Sequence, residues 1–232
     1  MNGPDEKGPD MIELPPPADA ERRFLQECRP DLDLENFLAR MRVFGEFLYK
    51  TNEAMNLTRI PAEDFWSKHV CDSLSLLKAV PGFASGSEAL CDVGCGAGFP
   101  SLVLAAAFPE RSVVPVDSTG KKIAFVRQAA EQMELKHVSP VQARANELGR
   151  RPPYRNAFRY VTARAVSEAS TLIRETSGLL RHGGKLIVYR TRTQADPEQE
   201  LLRKSGIRFT ATEEFSLPGD AGRRMFLLVE KG

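Results

Sequence analysis

The segment CDVGCGAGFPS, residues 91–101, sets three glycines at alternate positions, Gly94, Gly96 and Gly98, directly after a short apolar run. A buried strand that ends in glycines before a helix turns backbone N–H groups and the positive helix end toward a ligand, and glycine lets that ligand come close to the chain. The dinucleotide fingerprint G-x-G-x-x-G needs a third small residue where helix packs on sheet. Counted from Gly94 that place falls on Phe99, and counted from Gly96 it falls on Ser101, so the first frame fails and the second is weak. The spacing that fits is D-x-G-x-G-x-G, carried by Asp92, Gly94, Gly96 and Gly98, with Asp117 closing the next apolar run. A carboxylate there can accept both hydroxyls of a ribose, because it is an acceptor with several lone-pair sites.

Outward from this loop the pattern is regular. After Gly86, short apolar or β-branched runs (ALCDV, SVVPVD, VSPVQA, RYVTARA and KLIVYR) alternate with helix-length segments, which predicts parallel strands joined by crossover helices. RFTATEEFSL and RRMFLLVEK add two more strands, joined by the turn-rich PGDAG, so the sheet is expected to have seven strands and to end in an antiparallel pair. Between residues 20 and 80 the apolar spacing is helical, as in Phe37, Met41, Phe44, Phe47 and Leu48, and Pro61 is expected to break that region in two. The first 18 residues, rich in Pro, Gly and Asp, are expected to be disordered. The expected organisation is therefore a tail over 1–18, a helical extension over 19–85 and an α/β domain over 86–232.

The composition narrows the function. At 232 residues and 42% hydrophobic content the chain suits one α/β domain with a small extension. No stretch approaches the ~20 apolar residues of a membrane-spanning helix, and the first residues lack a basic and an apolar signal region, so a cytoplasmic protein without a membrane partner is expected. Cys28, Cys71, Cys91 and Cys95 form no C-x-x-C pair, so they are read as packing residues and no metal site is expected. Net charge is +1, but residues 1–21 hold six acids and one Lys, leaving 31 basic against 25 acidic groups in the rest. Residues 150–192 alone carry ten Lys or Arg and two Glu. Such an excess fits either a polyanionic partner or a solvated basic face.

The glycine loop, helix and second-strand Asp together resemble motifs one and two of the class I methyltransferases that bind S-adenosylmethionine. A closer resemblance runs through NLT at 56–58, KHVCDS at 68–73, DVGCGAGFP, DSTGKKIAFV at 117–126, ARANE at 143–147 and ARAV at 163–166. In that order these segments are similar to the bacterial 16S ribosomal RNA guanine-N7 methyltransferases, formerly called glucose-inhibited division protein B, over about residues 35–230. The resemblance implies a Rossmann-like fold with S-adenosylmethionine as cofactor. It also implies 16S ribosomal RNA or the small ribosomal subunit as partner, and a monomer is expected.

Carried over by residue, it implies that Asp92, Gly94, Gly96, Gly98 and Phe99 line the cofactor, that Asp117, Ser118 and Thr119 hold its ribose, and that Ala145 and Asn146 face its adenine. Arg164 is implied where cofactor and RNA meet, orienting both, and Lys121 and Lys122 on RNA phosphate. Arg144, after the third strand, lies where ligands collect in open α/β sheets and is expected to bind RNA. The resemblance implies that His69 and Asp72 belong to the family's active-site rim, with His69 on RNA; the other reading is a local helix pair near i, i+3 spacing. Three positions depart from the family pattern: Ser101 for glycine, Asn146 for glutamate, and Arg190-Thr191 for Lys-Gly. Asn146 matters most, since an amide keeps the hydrogen bond but brings no charge. Guanine N7 already carries an in-plane lone pair and no proton, so no residue is assigned as acid or base. An NAD-dependent oxidoreductase and a non-catalytic RNA-binding module stay open as other classes.

Overall fold

The computed structural model describes residues 14–80, 82–164, 168–204 and 206–232. Residues 1–13 of the expected tail, and Ala165 and Val166 of the ARAV segment, lie outside the described residues.

Two helices open the described chain, α1 (Asp19–Cys28) and α2 (Leu34–Met55). The Asp33 carboxylate caps α2 by accepting from the Asn36 N–H at 3.3 Å, and Asn56 ends it in the left-handed region at φ 50°. The helical region thus stops five residues before Pro61, which instead precedes a 3₁₀ turn, Ala62–Asp64. A π-helical turn, Phe65–Cys71, follows, then α3 (Asp72–Leu74) and α4 (Leu76–Ala79). Residues 14–18 depart from the expected disorder. Leu14 is only 3% exposed and seats against Gly45, and the Trp66 indole donates to the Pro15 carbonyl at 2.6 Å.

The α/β part alternates as expected: β1 (Leu90–Val93), α5 (Ser101–Ala107), β2 (Val113–Asp117), α6 (Gly120–Gln132), β3 (Val141–Gln142), α7 (Ala145–Leu148), β4 (Phe158–Arg164), α8 (Ala169–Thr176), β5 (Leu180–Arg190) and α9 (Arg192–Lys204). Strands β6 (Thr210–Ala211), β7 (Phe215–Ser216) and β8 (Arg223–Glu230) complete the sheet. Its order is β3-β2-β1-β4-β5-β8-β6, with β7 paired to β8. The parallel core keeps a simple register, Cys91 lying opposite Val114 on one side and Val161 on the other. Among the described residues the count is eight strands, not seven, because RFTATEEFSL splits into β6 and β7: the Phe226 N–H donates to the Thr212 hydroxyl at 2.9 Å, which interrupts the ladder. Strand β8 slots antiparallel between β5 and β6. Its first residues, Arg223 and Arg224, therefore stand at the edge where β1, β2, β4 and β5 end.

Apolar clusters cover both sheet faces. The N-terminal helices belong to one of them: Phe44 lies 4.9 Å from Phe99, and Phe47 stacks on Phe125 at 5.0 Å. Phe37, Phe44, Phe65 and Trp66 are essentially unexposed, each stabilising the fold by about 1.5–3 kcal/mol relative to exposure.

Candidate active site

Successive connections leave β1 toward β2 and, later, return to β4 on its other side, so a crevice opens at the carboxyl ends of β1 and β4. The glycine loop closes one wall. Its start is tied to β2, the N–H groups of Gly94 and Cys95 both donating to the Val116 carbonyl at 2.8 and 3.0 Å. Asp117 then reaches back from the end of β2. Its carboxylate accepts from the Gly96 N–H at 3.2 Å and from the Thr119 N–H at 2.8 Å, so one side chain fixes the loops after β1 and β2 together. Gly96 has φ 56°, and a Cβ there would meet nothing nearer than the Gly94 carbonyl at 3.9 Å. The space above it is open, as a ligand cradle requires.

A cleft of about 410 Å³ lies beside this carboxylate. It brings together Gly94, Asp117, Ser118, Thr119, Lys122, Arg144, Ala145 and Asn146, which the sequence had separated by more than fifty positions. Leu172 and Glu175 of α8 complete the wall and were not foreseen. Lys122, expected on RNA phosphate, lines the cleft with its half-exposed ammonium 3.9 Å from the Asp117 carboxylate. Lys121, one residue earlier on α6, faces solvent. Arg144 is at the N-terminal boundary of α7, where the loop reading put it.

On the far side of the glycine loop a second, buried constellation forms. Arg164, the last residue of β4, donates to the Asp72 carboxylate at 3.0 Å, and Arg224 of β8 donates to the other Asp72 oxygen at 2.8 Å. One carboxylate thus holds two guanidinium groups. His69 is 4% exposed and stacks flat on Phe99, with centroids 4.1 Å apart and planes 7° off parallel. Its Nδ1 faces Arg164 at 3.4 Å and its Nε2 the Thr58 hydroxyl at 2.9 Å. An arginine only donates, so Nδ1 is the acceptor and Nε2 carries the proton. Burial, then the Arg164 charge, holds this imidazole well below its ordinary pKa, and it is neutral. His69, expected on RNA, is buried here, and it and Asp72 meet through Arg164 rather than as a helix pair. The Arg164 guanidinium lies 5.2 Å from the Phe99 ring centroid, joining this cluster to the glycine loop. Arg224 was missed because only the antiparallel insertion of β8 brings it here. The π-helical turn that carries His69 is a feature often found at functional sites.

Two expected cofactor contacts stand one layer down. Asp92 is unexposed; the Thr162 hydroxyl donates to its Oδ1 at 2.9 Å, and its Oδ2 has no hydrogen-bond partner. Burial pushes this carboxyl up to about 6, against the Thr162 and Ser101 hydroxyls and the Arg164 charge. Ser101 is near enough to act on it, although its Oγ makes no hydrogen bond of good geometry. Gly98, at φ 94°, is the residue that packs on the helix: a Cβ there would fall 2.6 Å from Leu102 Cδ1. The helix-packing glycine sought at the third place of the dinucleotide pattern is thus present in another register. All four cysteines are free and buried.

This sheet order, with its glycine loop and acidic strand end, defines a class I S-adenosylmethionine-dependent methyltransferase. Among solved structures the fold is similar to an O-methyltransferase from Bacillus cereus in complex with SAH (TM-score 0.55, 17% identity, 82% of this chain and 90% of that one). It is also similar to the ribosomal protein L11 methylase of Lactobacillus delbrueckii subsp. bulgaricus (TM-score 0.51, 14% identity, 70% and 78%). The family model described as GidB, rRNA small subunit methyltransferase G, matches residues 37–219. Proteins named ribosomal RNA small subunit methyltransferase G are 39% identical in Lactobacillus delbrueckii subsp. bulgaricus (82% of this chain, 81% of that protein) and 35% in an Exiguobacterium strain (91% and 90%). The chain belongs to the rRNA small subunit methyltransferase G family. That membership sets aside the oxidoreductase and non-catalytic alternatives. The residues suit S-adenosylmethionine: open space stands over Gly96, and Asp117 spends two of about four lone-pair sites on the loops, leaving acceptors for a ribose.

Proposed function

We propose that the chain transfers a methyl group to N7 of a guanine in 16S ribosomal RNA, acting as a cytoplasmic monomer on that RNA or on the small subunit. The observation that carries this reading is the Asp117 carboxylate, which spans the Gly96 and Thr119 N–H groups beside the cleft. In this reading Asp117, Ser118 and Thr119 hold the ribose while Ala145 and Asn146 border the adenine. S-adenosylmethionine supplies, when bound, the methyl on a cationic sulfonium. Guanine N7 presents its lone pair without losing a proton, so this chain needs to place two partners rather than move a proton. Aligning them contributes roughly 7–11 kcal/mol through proximity and orientation. Arg164, fixed between Asp72, His69 and Phe99, orients the base next to the glycine loop.

N7-methylguanosine mapped in 16S RNA from cells with and without this protein tests the reading; the same modification in both rejects it. Asp117→Ala should weaken both S-adenosylmethionine and S-adenosylhomocysteine at least tenfold, since hydrogen bonds to a charged group contribute about 1.5–3 kcal/mol each.

A further inference from the structure

The basic run over residues 150–192 divides between the two sheet edges, with Arg164 and Arg190 ending β4 and β5 at the carboxyl edge. The segment before β4 carries Arg150, Arg151 and Arg155, and it enters the sheet at the amino end of β4, opposite the edge where Arg164 stands. Register places Phe158 beside Leu180 and Tyr160 beside Lys185, so Arg159, Arg181 and Lys185 share that amino edge. The far end of antiparallel β8 returns to it, and Lys231 there donates to Asn156 Oδ1 at 2.9 Å. Among the described residues these seven cations meet three carboxylates: Glu147 near Arg151 at 3.9 Å, Glu88 near Arg181 at 3.4 Å and Glu230 near Lys185 at 3.6 Å. Arg150 and Arg155 are exposed and form no ion pair among the described residues. The seven residues of β4, at about 3.3 Å each, put Phe158 at this edge roughly 20 Å from Arg164, while Arg150 follows Asn146 of the cleft wall by four positions.

The arginines are presented on a pinned loop. The Asn156 N–H donates to the Gly178 carbonyl at 2.8 Å, and Tyr154 stacks on Phe158 with centroids 6.4 Å apart. Gly149 lies so close to Gly178 that a Cβ on it would fall 2.8 Å from the Gly178 carbonyl carbon. Two consecutive prolines, Pro152 and Pro153, fix φ between the charges. A charged surface held in advance loses little conformational freedom when it binds.

We infer that this amino-edge patch binds backbone phosphates of a second segment of the same ribosomal RNA, away from the base in the cleft. The inference rests on the methyl-transfer reading above. A folded small-subunit RNA is larger than this chain and can meet both edges at once, and phosphate contacts set register without reading sequence.

The test is the triple variant Arg150→Gln, Arg151→Gln, Arg155→Gln, all three at exposed positions, compared with the wild-type chain on naked small-subunit RNA and on small subunits from cells lacking the protein. Each lost phosphate contact should flatten the slope of log affinity against log salt by about 0.7–0.9. The variant should therefore lose about two units of slope on both substrates and show a tenfold or greater rise in KM at physiological salt. Its kcat at saturating RNA and its S-adenosylmethionine affinity should stay within twofold of wild type. An unchanged slope overturns the inference and leaves a solvated face. A defect seen with small subunits but absent with naked RNA also overturns it, pointing to a ribosomal protein. The salt slope is a binding measurement, so it decides the inference even if wild-type turnover fails, and that failure would reject the functional reading separately.

Discussion

At the scale of single residues, the three glycines that look equivalent in sequence do different things. Gly96 faces open space and Gly98 faces Leu102, so their alanine variants should separate binding from stability. Gly96→Ala carries about 1–2 kcal/mol of left-handed strain and should remove S-adenosylmethionine binding in a folded protein. Gly98→Ala adds a clash with a packed helix and should lower the unfolding free energy by about 2–5 kcal/mol, the sum of strain and overpacking. Calorimetry and urea unfolding read the two effects; equal losses of stability in both variants would undo the distinction. Asp92 offers a pH test. Its carboxyl binds a proton more tightly in the folded protein, at about 6, than at the ordinary 3.8. Its contribution to stability is therefore full below pH 3.8 and is lost as pH rises through 6. Asp92→Asn keeps an acceptor for Thr162 and cannot titrate, so its stability relative to wild type should rise by roughly 2–3 kcal/mol between pH 4 and pH 7, at about 1.4 kcal/mol per pH unit. Parallel curves from urea unfolding of the two apoproteins would show that Asp92 does not titrate as its burial requires.

At the scale of elements, the buried cluster joins the π-helical turn, β4 and β8 through one carboxylate. Arg164 is 92 positions from Asp72 and Arg224 is 152, so the contact exists only because β8 returns beside β5. Asp72→Asn leaves two guanidinium groups facing a neutral amide. The arginine side chains are 14% and 20% exposed, so the cost should fall below the 3–5 kcal/mol of a fully buried pair, at about 1–3 kcal/mol. Because Arg164 loses its fixed position, kcat at saturating RNA should drop at least tenfold while the S-adenosylmethionine dissociation constant stays within threefold. A change confined to KM for RNA would mean that Asp72 holds charge rather than geometry. The same elements explain two misread segments. Leu14 and Pro15 look like tail by composition, yet α2 and Trp66 give them a partner. RFTATEEFSL looks like one strand, yet the Thr212 hydroxyl takes the place of a ladder carbonyl.

At the scale of the whole molecule, the cofactor cleft draws on the carboxyl edge of β1 and β2 and on α7 and α8, so a bound ligand should stabilise the molecule as a unit. At a hundredfold excess over Kd, S-adenosylmethionine should add about 2.7 kcal/mol, which for a chain of this size is a rise in Tm of roughly 5–10 °C. NAD at the same concentration should shift nothing. A thermal melt with each ligand separates the two outcomes.

Local spacing carried much of this protein. The glycine loop, Asp117, the alternation of strands and helices and the family's short segments are all short-range patterns, set by backbone angles, strand ends and periodicity, and each is legible one stretch at a time. Ser118, Thr119, Ala145 and Asn146 line the cleft beside Asp117 for the same reason: they follow strand ends in a parallel sheet. What tertiary structure alone decided is which side chains face each other across the sheet. It set Lys122 at the rim of the cleft near Asp117, buried His69 against Phe99, and brought Arg224 to Asp72. It also sent the loop with Arg150, Arg151 and Arg155 to the edge opposite Arg164, because the loop before a strand and the residue that ends it stand a full strand length apart.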